Sequence, residues 1–303
     1  MSEVWAAAAN AASVLVLAPL FDGLMRKLVA RIHSRKGPPI TQPYLDLFKL
    51  LIKEDIETGD TPAAQRAAAL IAFASVLTAA CLVPMGLGVP LSRWADGIVL
   101  IYMLTLCGAS AAFAGLAAGS TYSLIGTSRE VMTMMLLEPL LAVAILVGAM
   151  HSRTLELSAL LDGSVYGSTG VIGSGLLLFV VMALAFQAYA QRQPFDITEA
   201  ETEIMEGPLM EYSGPKLALF RYAHMAKLLV YGSVFMGLFV PWGAELPAYY
   251  AWPIHWLKVL ILGLIVAVTA AVHARIRVDQ ALRRYAVLYA GSMVALLLAA
   301  WGY

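Results

Sequence analysis

Residues 97–128 read GIVLIYMLTLCGASAAFAGLAAGSTYSLIGTS, a run without one Asp, Glu, Lys or Arg. A bilayer core takes about 20 apolar residues as a helix, so this stretch alone is long enough to cross it. It is not isolated. Runs 4–21, 67–92, 163–191, 228–244, 259–274 and 285–303 are equally free of charge, and 139–152 extends a Met/Leu-rich run that only Glu138 interrupts. These runs predict an all-α membrane protein with eight transmembrane helices, roughly 4–26, 64–86, 96–118, 129–150, 171–191, 216–240, 255–275 and 282–302. Spans 129–150 and 216–240 are the marginal ones, the first holding an acid and the second His224 and Lys227.

The composition agrees. Of 303 residues 60% are hydrophobic and 13% charged, against roughly 25% charged in an ordinary soluble domain, and mean hydropathy is +0.77. A soluble globular enzyme and a disordered chain are excluded. Lys+Arg and Asp+Glu are both 20, so the net charge of zero offers no basic surface for nucleic acid. The start, MSEVWAAAAN, has no basic residue ahead of its apolar run and does not read as a cleavable signal peptide. Cys81 and Cys107 are the only cysteines and form no metal-ligand spacing, so no iron–sulfur cluster or structural zinc is expected in this chain.

Eight spans put both termini on one side. With that count, 17 of 20 basic residues fall on or nearest the other side, the exceptions being Arg93, Arg153 and Lys258. Positive charge stays cytoplasmic, so the odd-numbered connections should face the cytoplasm and the termini the periplasm. No repeat or low-complexity linker divides the chain, which reads as one membrane domain over 1–303.

The first cytoplasmic connection contains a helix signal. After Pro43, the apolar residues Tyr44, Leu47, Phe48, Leu51 and Ile52 recur at helical spacing, with Asp46, Lys49 and Lys53 on another face. An amphipathic interfacial helix is expected after the first span. Its charges are either simply solvated or, with Arg35, line an entrance or docking surface.

The connection between spans five and six is acidic: QPFDITEAETEIMEGPLMEYSGP at 193–215 holds six acids and no base between Asp196 and Glu211. On one helix, Asp196, Glu199, Glu203 and Glu206 would share an arc of about 80°. Such a row repels itself and needs a basic partner, a water-filled cavity or shared protons. It is either a solvated docking loop or a carboxylate row that moves protons, as such rows do in pumps. Glu138, two turns into span four beyond Arg129 and Glu130, is a functional candidate, because an acid at mid-span costs roughly 2.5–3.5 kcal/mol. Lys227 either snorkels to the interface or serves as a counter-charge for Glu138 or the acidic row. Asp22 stands one turn before Arg26, a pairing distance.

These residues carry a resemblance. Arg35-Lys36-Gly37-Pro38-Pro39, then Gln42-x-Tyr44-x-Asp46-x-x-Lys49-Leu50, resembles the first cytoplasmic loop of the NADH dehydrogenase subunit 1 family. Pro194-Phe195-Asp196-Ile197-x-Glu199-Ala200-Glu201, continuing to Glu206-Gly207-Pro208 and Glu211-Tyr212-Ser213-Gly214, resembles its most specific signature. Ser128-Arg129-Glu130 and Arg277-x-Asp279-Gln280 also fit, and the likeness covers essentially the whole chain. That family is the membrane heel shared by respiratory complex I and energy-converting [NiFe] hydrogenases, including formate hydrogenlyase. Quinone-reducing members usually carry Gly-Pro-Asn where this chain has Gly37-Pro38-Pro39, a Glu-Arg pair at Asp22-Gly23, and often Ser-Tyr-Glu-Val at Leu136-Leu137-Glu138-Pro139. All three departures resemble the hydrogenase branch.

The resemblance therefore implies a subunit of a membrane-bound oxidoreductase complex in a bacterial or archaeal cytoplasmic membrane. Its partners would be a hydrogenase large subunit and an iron–sulfur small subunit on the cytoplasmic face, and antiporter-like membrane subunits. The [NiFe] centre and iron–sulfur clusters would sit in those partners, fed by ferredoxin, formate or CO. A proton path is expected through Glu130, Glu138, Asp196, Glu199, Glu201, Glu203, Glu206, Glu211 and Lys227. Docking and entrance fall to Arg35, Asp46, Lys49, Arg129 and Asp279. The alternative is a quinone-binding heel subunit of an NADH-quinone oxidoreductase.

Overall fold

A computed structural model describes residues 3–56, 61–88, 90–91, 94–166, 173–198, 201–243 and 246–302, without the side chains of 201 and 202. Among the described residues the fold is helical, with no strand. The helices are α1 (Glu3–Ile32), α2 (Gln42–Ile52), α3 (Pro62–Leu82), α4 (Gly97–Ala118), α5 (Thr121–Ser152), α6 (Leu157–Leu160), α7 (Gly173–Tyr189), α8 (Glu201–Ile204), α9 (Gly214–Phe239), α10 (Ala248–Val272) and α11 (Val278–Ala300).

Six of them, α1, α3, α4, α5, α10 and α11, are long and apolar enough to cross a membrane, and the chain is a multi-pass membrane protein. The remaining two predicted spans correspond to α7 and α9. As described, α7 has 17 residues, about 26 Å of helix against a hydrocarbon core of about 30 Å. Polar residues lower the hydropathy of α9, but most of its length is buried, Lys216 included. A helix enclosed by other helices does not need a lipid-compatible surface.

The long helices stand around α9 in the order α1, α3, α4, α5, α11 and α7, with α10 against α1 on the other side. Outward-facing apolar side chains such as Val16, Leu70, Leu184, Ile265 and Leu297 are exposed, which lipid tolerates and water does not. Phe235 and Phe239, near the end of α9, pack with Phe179 and Phe186 of α7. This aromatic cluster fills the bundle there.

Span four starts earlier than its hydropathy suggests. Nothing breaks the helix between Thr121 and Arg129: Ser120 caps it, accepting from the Ser123 N–H at 3.3 Å. The left-handed Gly119 (φ 69°) ends α4 just before. Arg129 and Glu130 are therefore inside α5. Helix α5 also runs through Pro139, next to Glu138.

Helix α2 forms where the periodicity predicts. It buries Pro43 and Leu47 against α9 and α1 and leaves Leu45, Phe48, Leu51 and Ile52 exposed.

Candidate functional site

The acidic connection does not form one helix. Met205 and Glu206 adopt left-handed φ values of 49° and 68°, and Gly207 follows at 57°. The backbone therefore reverses after the single turn of α8, and a stripe of four carboxylates on one helix face is not made. The reason lies in packing. The tip Gly207-Pro208 wedges into the elbow between α4 and α5, where a Cβ on Gly126 would stand 2.7 Å from both Gly207 Cα and Pro208 Cδ. The Tyr212 hydroxyl donates to the Ala114 carbonyl at 2.9 Å. Burial pushes that hydroxyl's pKa up, so it stays protonated as a donor.

The acids of this loop are met by arginines from three separate elements. Asp196 pairs with Arg275 at 2.6 Å, Glu203 with Arg129 at 2.7 Å and Glu206 with Arg221 at 3.3 Å. Of the three ways to tolerate such a row, the chain uses basic partners. Glu199 and the side chain of Glu201 lie outside the described residues. Glu211 is half-buried just ahead of α9.

The connection after α2 and the acidic connection hold each other. Lys216 reaches Asp55 at 3.3 Å, and the Ile56 N–H donates to Ser213 Oγ at 3.1 Å. Gly214, at φ 55°, has the Glu54 carbonyl where a Cβ would point. Asp22, 1% exposed, is clamped by Arg26 at 2.6 Å and, closer still, by Arg192 from the start of the acidic loop. Arg26 also lies 3.8 Å from Asp46, which accepts from Gln42 Nε2 at 2.8 Å. Lys49 and Asp279 are exposed, and Arg35 stands at the edge of a cleft.

Beneath this mouth is a polar interior. Glu130 is 4% exposed, and Gln191 Nε2 donates to both of its oxygens, at 3.1 and 3.0 Å. Glu130, Gln191, Cys107, His224 and Lys227 line a cavity of about 50 Å³, space for a few waters bound to its polar groups. Among the described residues no carboxylate lies within 4.0 Å of Lys227, whose ammonium sits 5.8 Å from the Tyr231 ring centre. Its charge acts on Glu138, which is half-buried about 12 Å farther along α5 than Glu130. Beyond lies Tyr231, its ring tilted against that of Tyr189 with centres 4.8 Å apart.

The inner cavity has an antechamber of about 370 Å³ lined by Arg26, Arg192, Glu206, Arg221 and His224. The two cavities share Leu209, Phe220 and His224 as walls. A third space, about 390 Å³ between α1 and α10, shares Arg26 and Arg192 with the antechamber and reaches Arg35 and Asp196. Of the candidate path residues, the fold brings Glu130 and Lys227 to one cavity and Glu138 within their field. Asp196, Glu203 and Glu206 stay apart at the rim. Gln191, Cys107 and the Asp22–Arg192 pair carry no sequence signal, since each depends on contacts far apart in the chain. Among the described residues no group of three or more His, Cys, Asp and Glu is arranged to hold a metal ion.

The NADH dehydrogenase family model matches residues 5–300. The chain belongs to this family. It is 35% identical over 240 residues to hydrogenase-4 component C of Escherichia coli K12, covering 78% of this chain and 75% of that protein. It is 34% identical over 233 residues to formate hydrogenlyase subunit 4 of the same strain, covering 76% and 75%. A subunit of the NADH-quinone oxidoreductase of Syntrophotalea carbinolica is 31% identical over 270 residues, covering 83% and 80%. A solved chain of an archaeal membrane-bound sulfane sulfur reductase shares the fold, with TM-score 0.86 and 24% identity over 99% of this chain and 100% of that one. The family likeness read from the loop motifs thus holds over the whole chain.

Proposed function

We propose that this protein is the membrane anchor and proton-path subunit of an energy-converting, membrane-bound [NiFe] hydrogenase complex. It would link a cytoplasmic redox arm to proton-translocating membrane neighbours. The observation that carries the coupling role is the cluster of Glu130, Lys227 and Glu138 inside the bundle. A cavity there with room for a few waters shares the walls Leu209, Phe220 and His224 with a charged antechamber. Protons enter through the antechamber past Arg221 and His224, pass Glu130 and Lys227, and reach Glu138 at mid-span. The aromatic cluster of α7 and α9 closes the straight way onward, so Glu138 hands its proton sideways to a neighbouring membrane subunit. The paired acids Asp196, Glu203 and Glu206 shape the mouth, with Glu199, Glu201 and Glu211 around it.

The hydrogenase branch is supported by the higher identity to hydrogenase-4 component C and formate hydrogenlyase subunit 4, and by the three motif departures at Asp22-Gly23, Pro39 and Leu136-Leu137. The [NiFe] centre and iron–sulfur clusters belong to the large and small hydrogenase subunits, docked over Arg35, Lys49 and Asp279. In this reading one domain of eight spans, α7 and α9 included, sits in a bacterial or archaeal cytoplasmic membrane. Its termini are periplasmic, and α2 lies in the interface with Phe48, Leu51 and Ile52 in lipid.

The second reading, a quinone-binding heel of an NADH-quinone oxidoreductase, is favoured by the Syntrophotalea carbinolica relative. Purifying the complex through this protein separates the two. A [NiFe] centre and hydrogen evolution are expected; flavin, NADH oxidation and bound quinone would establish the second reading instead.

A further inference from the structure

The outer surface of the helix ring carries a wide groove bounded by α7, α10 and α11. Its volume is about 570 Å³, within the ~300–1,000 Å³ typical of sites that take a small organic molecule. The walls are apolar, and Leu184, Ile265 and Val287 are 60%, 55% and 71% exposed. At the end nearest the acidic connection the lining changes to His273, Arg283 and Arg284. No carboxylate among the described residues lies within 4.0 Å of either arginine.

The groove's floor makes no polar demand of its own. Thr269 Oγ1 donates to Gln187 Oε1 at 2.6 Å, and Gln187 Nε2 donates to the Gln193 and Val266 carbonyls at 2.6 and 3.2 Å. One end of the groove thus offers two unpaired guanidinium groups, while its length offers hydrocarbon.

We propose that this groove binds an anionic phospholipid, its phosphate on Arg283 and Arg284 and its acyl chains along Leu184, Ile265 and Val287. Guanidinium groups match phosphate oxygens with paired hydrogen bonds, and basic pockets between membrane helices on the cytoplasmic side take anionic headgroups. An apolar helix from a neighbour fits less well, because it would cover two arginines without a counter-charge. The lipid also fills the place where α10 and α11 stand apart in the ring. It steadies the segment 273–277, whose Arg275 holds Asp196 of the acidic loop. The proposal rests on α7, α10 and α11 crossing the membrane and not on which redox partners are bound.

The test uses the whole purified complex, delipidated in detergent and titrated with phosphatidylglycerol or phosphatidylcholine in mixed micelles, with bound lipid read by native mass spectrometry. Phosphatidylglycerol should be retained and phosphatidylcholine lost. The double substitution Arg283→Gln, Arg284→Gln should weaken retention about 30-fold, from roughly fivefold per surface arginine. Ile265→Trp fills the groove and leaves the arginines in place, so it should expel the lipid too. Equal retention of the two lipids would overturn the proposal, as would a double variant that binds like the parent. A Val287→Cys variant that crosslinks to a membrane subunit in native membranes would also overturn it, because a protein helix would then occupy the groove.

Discussion

Gln191 donates its side-chain amide to both carboxylate oxygens of the buried Glu130, at 3.1 and 3.0 Å. It does so from a left-handed backbone position, φ 49°, at the turn that follows α7, which aims the amide back into the bundle. Few residues adopt this conformation without glycine. The contact fixes Glu130 on one wall of the cavity that Lys227 shares, and thereby sets the spacing over which a proton has to move.

Replacing Gln191 by Leu should therefore act through Glu130. The carboxylate would lose both hydrogen bonds while remaining buried, a cost of about 1–3 kcal/mol. Thermal unfolding of the purified complex should shift down, and proton uptake by inverted vesicles should fall. Gln191→Glu should be worse than Gln191→Leu, because it sets a second carboxylate against the first. If both variants unfold and pump like the parent, Glu130 does not depend on this amide.

Among the described residues Lys227 is the only lysine lining the inner cavity, and no carboxylate pairs with it. Its positive charge is then available to lower the energy of whichever of Glu130 or Glu138 holds a negative charge at a given moment. Lys227→Met should abolish coupled proton translocation while electron transfer to a soluble acceptor continues. Lys227→Arg should keep part of it. Vesicle acidification assayed beside hydrogen evolution separates the effects. Equal loss of both activities in Lys227→Met would point to an assembly defect instead.

The loop acids should behave differently from the buried ones. Glu203 meets Arg129 at 2.7 Å, but its side chain is 47% exposed, so screening leaves the pair about 0.2–1 kcal/mol at most. Glu203→Gln and Glu206→Gln should leave proton translocation near the parent's level, while Glu130→Gln and Glu138→Gln should remove it. A double-mutant cycle on Arg129 and Glu203 should return a small coupling energy in stability and none in translocation. Loss of pumping in Glu203→Gln would restore the loop carboxylates to the path.

How far the sequence reveals this molecule depends on the range of the forces involved. Charge-free runs report lipid contact locally, so the long helices are legible. Helix α9 is harder, because its polar residues are sheltered by neighbours far away in sequence. Arg129 and Glu130 look like a span boundary, yet no breaker separates them from Ser120 and the helix runs through. The acidic loop misleads most: its spacing suits a helix, but left-handed turns at Met205 and Glu206 follow from fitting Gly207 and Pro208 against Gly126. That fit cannot be seen until α4 and α5 are placed. The partners Arg275, Arg129 and Arg221, and Gln191 beneath them, are likewise products of tertiary packing.

Gly126 is where that packing is most exposed to a single substitution. A Cβ there would come within 2.7 Å of Gly207 Cα and Pro208 Cδ, too close without moving backbone. Gly207 cannot yield easily, since its own φ is 57° and the Thr198 carbonyl fills the position of a Cβ on it. Gly126→Ala should therefore push the loop tip out of the α4–α5 elbow, costing about 1–3 kcal/mol as overpacking does. The displacement would weaken the Tyr212 bond to Ala114 and expose the wall made by Leu209 between antechamber and inner cavity. Hydrogen exchange across 193–215 should rise in the variant while α3 and α10 stay protected. Unchanged exchange in 193–215 would mean that the loop is held by its arginine pairs and not by this wedge.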